Sequence, residues 1–161
     1  MNPSSKPERR IELSWQDVER LVVELKPRLL AAGPFDAILC VTRGGLIPAG
    51  LISELLDLRN VMAASVVFFC GPWQTERRPL FWQFPSTDDL RGKRLLVVDD
   101  VWADGELPMA VKTRAIAAGA KPYVVVLHYR RRQSHFPNDG PDFFAAETDD
   151  WLVYPWERLA D

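Results

Sequence analysis

The order of apolar and polar segments predicts an α/β fold, a twisted and mostly parallel sheet with helices on both faces. Three observations carry that expectation. Runs rich in Val, Ile and Leu at residues 36–41, 95–98 and 122–127 are, Asp36 apart, apolar throughout, as in strands covered on both faces, and do not alternate as half-exposed strands do. Segments with helical spacing alternate with these runs, at residues 14–31, 46–57 and 108–119. Glycine-containing turns, Thr42-Arg-Gly-Gly45 and Ala103-Asp-Gly-Glu-Leu107, then join strand to helix at the strand ends where open α/β sheets bind ligands.

Each element has its own local cause. Ser14 followed by Asp17 forms a capping box with Asp in place of Glu, and Trp15, Val18, Leu21, Val22 and Leu25 recur at helical spacing behind it. The helix is expected to bend near Pro27 and to end at Gly33-Pro34. Residues 61–70 form a long β-branched and aromatic run, read as the second strand. Residues 71–91 hold three prolines, Trp73, Trp82 and Arg77-Arg78 without sustained periodicity, and are expected to be a lid of little regular structure. Gly119 ends the helix after the strand at 95–98, and a further short strand is expected near residues 143–146.

With 161 residues and 47% hydrophobic content, the chain can bury about two-thirds of its unfolded surface in one core and is read as a single domain. The net charge of -2 and a pI near 5.7 provide no basic field for nucleic acid. Cys40 and Cys70 lie in apolar runs without metal-type spacing, as small buried hydrophobes of a reduced protein do. The polar opening, with Lys6, Arg9 and Arg10, is not followed by a signal-like apolar stretch, and no run approaches the ~20 apolar residues that span a bilayer. A cytoplasmic protein without membrane or nucleic-acid partners is expected. The six tryptophans point to a homo-oligomer, dimer or tetramer.

Chemistry concentrates in two places. Thr42-Arg-Gly-Gly45 can face an anion with backbone N–H groups, with the partial positive charge of the following helix and with Arg43. Asp99-Asp100 places adjacent carboxylates at a strand end, where they repel unless a cation or a hydrogen-bond donor lies between them. A ribose diol with a magnesium ion supplies both. Trp151 could stack on a planar heterocycle or anchor a core. Arg130-Arg-Arg132 reads as a solvated edge, and neither His128 nor His135 has a partner at ligand spacing.

Taken with their order along the chain, residues 38–50, 95–105 and 150–156 resemble the type I phosphoribosyltransferases, and most of all the bacterial xanthine-guanine (hypoxanthine) branch. The shared features are the Leu13-Ser-Trp15 opening, Thr42-Arg-Gly-Gly45 followed by Leu46-Ile-Pro48, the apolar strand entering Asp99-Asp100, and the closing Asp150-Trp-Leu-Val-Tyr-Pro-Trp156. The resemblance implies transfer of a phosphoribosyl group from phosphoribosyl pyrophosphate to a 6-oxopurine. It also implies a mobile flap at 71–91 and a small hood built from residues 141–161. Arg43 and Gly44 would contact the pyrophosphate, with a cis bond before Gly44. Asp99 and Asp100 would hold the ribose hydroxyls, and Asp100 the Mg2+. Ala103, Asp104, Gly105, Glu106 and Leu107 would hold the 5′-phosphate. Trp151 would stack on the base, the backbone at Leu152 would read its edge, and Arg130 would stand in for the family's lysine.

The family's phosphate loop reads Asp-Thr-Gly-X-Thr, and of this only Gly105 is kept. Ala103 stands where the family's acid does, and Asp104 and Leu107 replace two hydroxyl donors. Asp104 could substitute for the missing acid, alongside Asp99 and Asp100, if the loop is shifted by one residue. A catalytically weak binding or regulatory protein on the same fold is the alternative that these replacements leave open.

Overall fold

The computed structural model describes residues 9–69 and 77–160. Strand β1 (Arg10–Glu12) leads into helix α1 (Trp15–Ala32), then β2 (Ala37–Thr42), α2 (Leu46–Leu56), β3 (Val61–Phe69) and β4 (Arg78–Gln83). A short α3 (Thr87–Leu90) precedes β5 (Arg94–Trp102), α4 (Glu106–Ala117), β6 (Lys121–Tyr129), β7 (Phe143–Glu147) and β8 (Trp151–Val153). The capping box forms as its spacing predicts: Asp17 N–H donates to Ser14 Oγ at 3.1 Å and Ser14 N–H to the Asp17 carboxylate at 2.8 Å. Behind it Val18, Val22, Leu25 and Leu29 make the buried face of α1, with Pro27 inside the helix. Gly119 follows the cap residue Ala118 with φ 85°, and its N–H returns to Ile116 O at 2.9 Å.

The six-stranded sheet runs β4-β3-β2-β5-β6-β7, parallel except for the β3–β4 pair. Its interior strands are apolar on both faces because both faces are covered. α1 and α2 pack over Ile38, Cys40, Leu96, Val98, Val125 and Leu127. α3 and α4 cover Ala37, Leu39, Val41, Leu95, Val97, Val124 and Val126. Burial pushes the Cys40 thiol up to about 11, which fits an inert apolar filler. Cys70 and Trp73 lie outside the described residues.

Three expectations are corrected. Residues 71–91 are not without regular structure: beyond the undescribed 70–76, β4 pairs antiparallel with β3 and α3 has its own capping box from Ser86 and Asp89. Pro79 hid the strand, yet β4 lies at the sheet edge, where a missing N–H is tolerated. Phe81 is turned to the core, against Phe84 and the Arg114 guanidinium. Second, the central strand does not end at residue 98. β5 stops pairing with β2 at Val98 but pairs with β6 as far as Trp102, and β6 in turn includes His128. Third, the hood is not made from the tail alone. β1 and β8 form a separate two-stranded parallel sheet, so the N-terminal segment supplies one of its strands.

The divergence of β2 and β5 beyond Val98 opens a crevice at the point where the chain reverses its direction of travel across the sheet. Asp99 and Asp100 lie in the strand as it enters this crevice. No described helix is long and apolar enough to cross a membrane.

Candidate functional site

Two strand ends build the site. At the end of β2, the turn before α2 carries Arg43 exposed and Gly44 half-buried. The cis peptide bond lies between Thr42 and Arg43, one residue earlier than expected. A Cβ on Gly44 would come 2.5 Å from a carboxylate oxygen of Asp100, so only glycine lets the turn lie against that side chain. Arg43, Gly44, Leu46, Ile47, Asp100, Trp156 and Glu157 together line an open cleft of 620 Å³.

Asp99 and Asp100 are nearly buried, at 7% and 9% exposure. Asp100 N–H donates to Asp99 Oδ1 at 2.9 Å. Burial, and then the neighbouring charge of Asp100, push the Asp99 carboxyl well above its ordinary range. Burial also raises Asp100, to about 6; the Val101 N–H opposes the rise, and Glu157 adds to it. Asp100 therefore faces the cleft while Asp99 lies behind it. An approaching cation would favour ionisation of both.

The following turn differs from an open phosphate cradle. Gly105 has φ 83° and precedes α4, and a Cβ there would strike the Trp102 indole. The helix begins at Glu106 and not at 108, so the connecting turn is residues 103–105. Asp104 folds back on its own loop: its Oδ1 accepts the Glu106 N–H at 2.9 Å, and its carbonyl accepts the His135 N–H at 2.8 Å. The Glu106 carboxylate lies between Arg77 Nη1 at 2.9 Å and His135 Nδ1 at 3.2 Å. Leu107 packs against the core.

The residues expected to contact a base lie apart from the cleft-lining set. Trp151 is 55% exposed, with the Arg130 guanidinium 6.0 Å from its ring centre. Arg130 Nη2 donates to Asp149 O at 3.0 Å. Leu152 sits in β8 opposite Ile11. Arg131 and Arg132 pair with Glu147 and Asp149, in keeping with a solvated edge.

Four residues at the site carried no role in the sequence. Trp156 and Glu157 line the cleft, and the buried Tyr154 joins His128 to the Asp100 backbone. The tail's aromatic density was the available signal, but it drew attention to Trp151. Trp156 stacks on Tyr154 at 4.6 Å and 10°, and His128 Nδ1 meets Tyr154 Oη at 2.8 Å. Burial lowers His128 from 6.5 to about 4. A histidine held neutral in this way stabilises the fold above its unfolded value, and that contribution is lost as pH falls through the folded one. His128→Gln is therefore expected to gain stability relative to the unmodified chain between pH 6.5 and about 4. Thermal unfolding across that range tests this, and a pH-independent difference would refute the burial argument.

A doubly wound sheet with a glycine turn and a carboxylate pair at adjoining strand ends defines a class, the α/β proteins that hold phosphorylated sugars at the switch point of the sheet. The chain belongs to the phosphoribosyltransferase family: the profile described as phosphoribosyl transferase domain matches residues 10–155. It is an enzyme of that family, a phosphoribosyltransferase. It is 28% identical over 149 residues to the xanthine-guanine phosphoribosyltransferase of Idiomarina loihiensis, covering 92% of this chain and 88% of the relative. The enzyme of the same name from Cereibacter sphaeroides is 28% identical over 155 residues, covering 93% and 88%. Among solved structures, a purine phosphoribosyltransferase from Pyrococcus horikoshii superposes with a TM-score of 0.78 at 28% identity, covering 92% of this chain and 93% of that one.

Proposed function

We propose that this protein transfers a phosphoribosyl group from phosphoribosyl pyrophosphate to a 6-oxopurine, releasing pyrophosphate. One observation carries this reading: the Gly44 backbone lies directly against the Asp100 carboxylate within a single cleft. An anion held by Arg43 and the Gly44 turn would sit beside the carboxylate that holds the sugar. The names of the similar bacterial enzymes support the choice of base class.

Asp100 and Glu157 present hard oxygen donors across the cleft, a set that suits magnesium shared with substrate oxygens and water. The described residues contain no group of three or more His, Cys, Asp or Glu that would hold a metal alone, so the substrate would complete the shell. The ion would neutralise the pyrophosphate and favour its departure. The chain's own residues do the rest by position. Arg43 and Gly44 orient the leaving group, Asp99 and Asp100 hold the ribose hydroxyls and stabilise positive charge developing on the sugar, and residues 103–107 hold the 5′-phosphate. Trp151 stacks on the purine, the Leu152 backbone reads its edge, and Arg130 supplies charge beside the ring. The exposed apolar face of α2, with Leu46, Ile47 and Leu51, supports assembly of a homo-oligomer, which light scattering would detect.

Calorimetric titration with phosphoribosyl pyrophosphate and Mg2+, followed by assay of pyrophosphate release with guanine, xanthine or hypoxanthine, tests the proposal. Turnover with one of the three supports it. Binding without release would support the regulatory alternative, and absence of binding would remove both.

Asp104 has a directional effect in this scheme. Its carboxylate occupies a helix-start N–H and places a negative charge where the 5′-phosphate approaches. Like charges ~4 Å apart cost about 4 kcal/mol at an effective dielectric of 20. Asp104→Asn keeps the acceptor without the charge and is expected to tighten phosphoribosyl pyrophosphate binding about tenfold or more. Weaker binding in the variant would instead assign Asp104 the role of the missing acid.

A further inference from the structure

We infer that Tyr154, braced by His128, is a positioning residue for the transfer reaction: its phenol fixes the Asp100 peptide, and its ring and backbone fix Trp156 and Glu157. The inference rests on the proposed function, because the cleft it shapes is the one assigned to the substrates. Tyr154 is 2% exposed and is not among the residues that line the cleft.

β2 and β5 no longer pair beyond Val98, so Asp100 has lost its strand neighbour on that side. Side chains hold its peptide instead. Asp100 N–H donates to Asp99 Oδ1 at 2.9 Å, and Tyr154 Oη donates to Asp100 O at 3.0 Å. A phenol has one proton. With that proton given to Asp100, the 2.8 Å contact with His128 requires the imidazole to donate from Nδ1. This fixes His128 as the neutral Nδ1–H tautomer, which its burial also favours.

The same residue holds the opposite wall of the cleft. The Tyr154 ring lies nearly parallel to the Trp156 indole at 4.6 Å, and its N–H donates to Glu157 Oε2 at 2.7 Å. The Trp156 Nε1–H is buried and has no hydrogen-bond partner within ordinary geometry. Three members of the cleft thus take their relative positions from one buried residue.

Tyr154→Phe keeps the ring and the stack and removes only the hydroxyl. The expected result is a kcat about tenfold lower and a Mg2+ requirement for phosphoribosyl pyrophosphate binding about tenfold higher. KM for the purine should be unchanged, and Tm should stay within about 5 °C of the parent. His128→Leu should reproduce the loss, and His128→Gln, which restores an N–H donor, should recover most of it. In the ligand-free protein, 15N NMR should place the His128 proton on Nδ1, and Tyr154→Phe should abolish that preference. Unchanged kcat and Mg2+ dependence in Tyr154→Phe, or a His128 proton on Nε2, overturns the inference. If Tyr154→Phe does not fold, equal activities of the leucine and glutamine variants at His128 overturn it instead. Failure of the unmodified protein to bind phosphoribosyl pyrophosphate would remove the proposed function and this inference together.

Discussion

Replacing Asp100 with Asn is expected to abolish magnesium-dependent binding of phosphoribosyl pyrophosphate while making the ligand-free protein more stable at neutral pH. The two effects have one cause. A carboxylate buried to 9% exposure, with the charge of Glu157 nearby, is costly to keep charged, and its value rises from 3.8 to about 6. A raised carboxyl contributes stability below its unfolded value and loses that contribution as pH rises through the folded one. Above pH 6 the unmodified protein bears the full penalty, at most about 3 kcal/mol for a shift of roughly 2 units. Asparagine bears none of it, so the variant's advantage in Tm should be largest near pH 7–8 and should disappear as pH falls towards 4. Binding moves the other way, because a neutral amide cannot offset the ion's charge, and affinity should fall about a hundredfold or more. Unchanged affinity would withdraw Asp100 from the site. A stability difference independent of pH would show that the carboxylate is not buried as described.

Gly44→Ala is the second large effect. The added methyl would lie 2.5 Å from one Asp100 oxygen and 2.6 Å from the other, inside any ordinary contact distance. Either the turn or the carboxylate must move, and both belong to the cleft. Because misplacement by about 1 Å can cost a hundredfold in rate, kcat/KM is expected to fall about 100-fold, with the circular dichroism spectrum retained. Gly50→Ala provides the control. It lies in the same helix-turn unit, nothing stands within 4 Å of an added Cβ, and alanine is the better helix former there. That variant should be fully active and slightly more stable. Near-normal activity in Gly44→Ala would mean that the turn and Asp100 do not act as one surface.

The sequence made the sheet legible where burial is uniform. Apolar runs on strands covered from both faces need no partner to be recognised, and the Ser14 cap is a local interaction between near neighbours. Strand ends were less legible because pairing is decided across the sheet. Leu95 to Val98 show their burial in their own side chains, whereas Asp99 to Trp102 remain strand only because β6 continues beside them. β4 carries Pro79 and four exposed neighbours, so its edge position could not be read from its composition. At the site, Arg43, Gly44 and Asp100 were found because charge and glycine at strand ends are conspicuous. His128 and Tyr154 were not, because a buried polar side chain acquires meaning only from the atom it faces, and that atom lies 26 residues away for this pair.

The small β1–β8 sheet has a consequence for how the molecule is assembled during synthesis. It joins residues 10–12 to residues 151–153, and Arg158 returns to the same region by donating to Leu13 O at 2.6 Å. The strands that carry Arg43 and Asp100 can pair with their neighbours while the ribosome is still producing the tail. The face that carries Trp151 cannot, since its framework requires contacts between segments far apart in sequence. A nascent chain would therefore form the surface of Arg43 and Asp100 first and that of Trp151 only once residues 151–153 have emerged, with Trp156 and the Arg10–Glu12 strand exposed to chaperones until then.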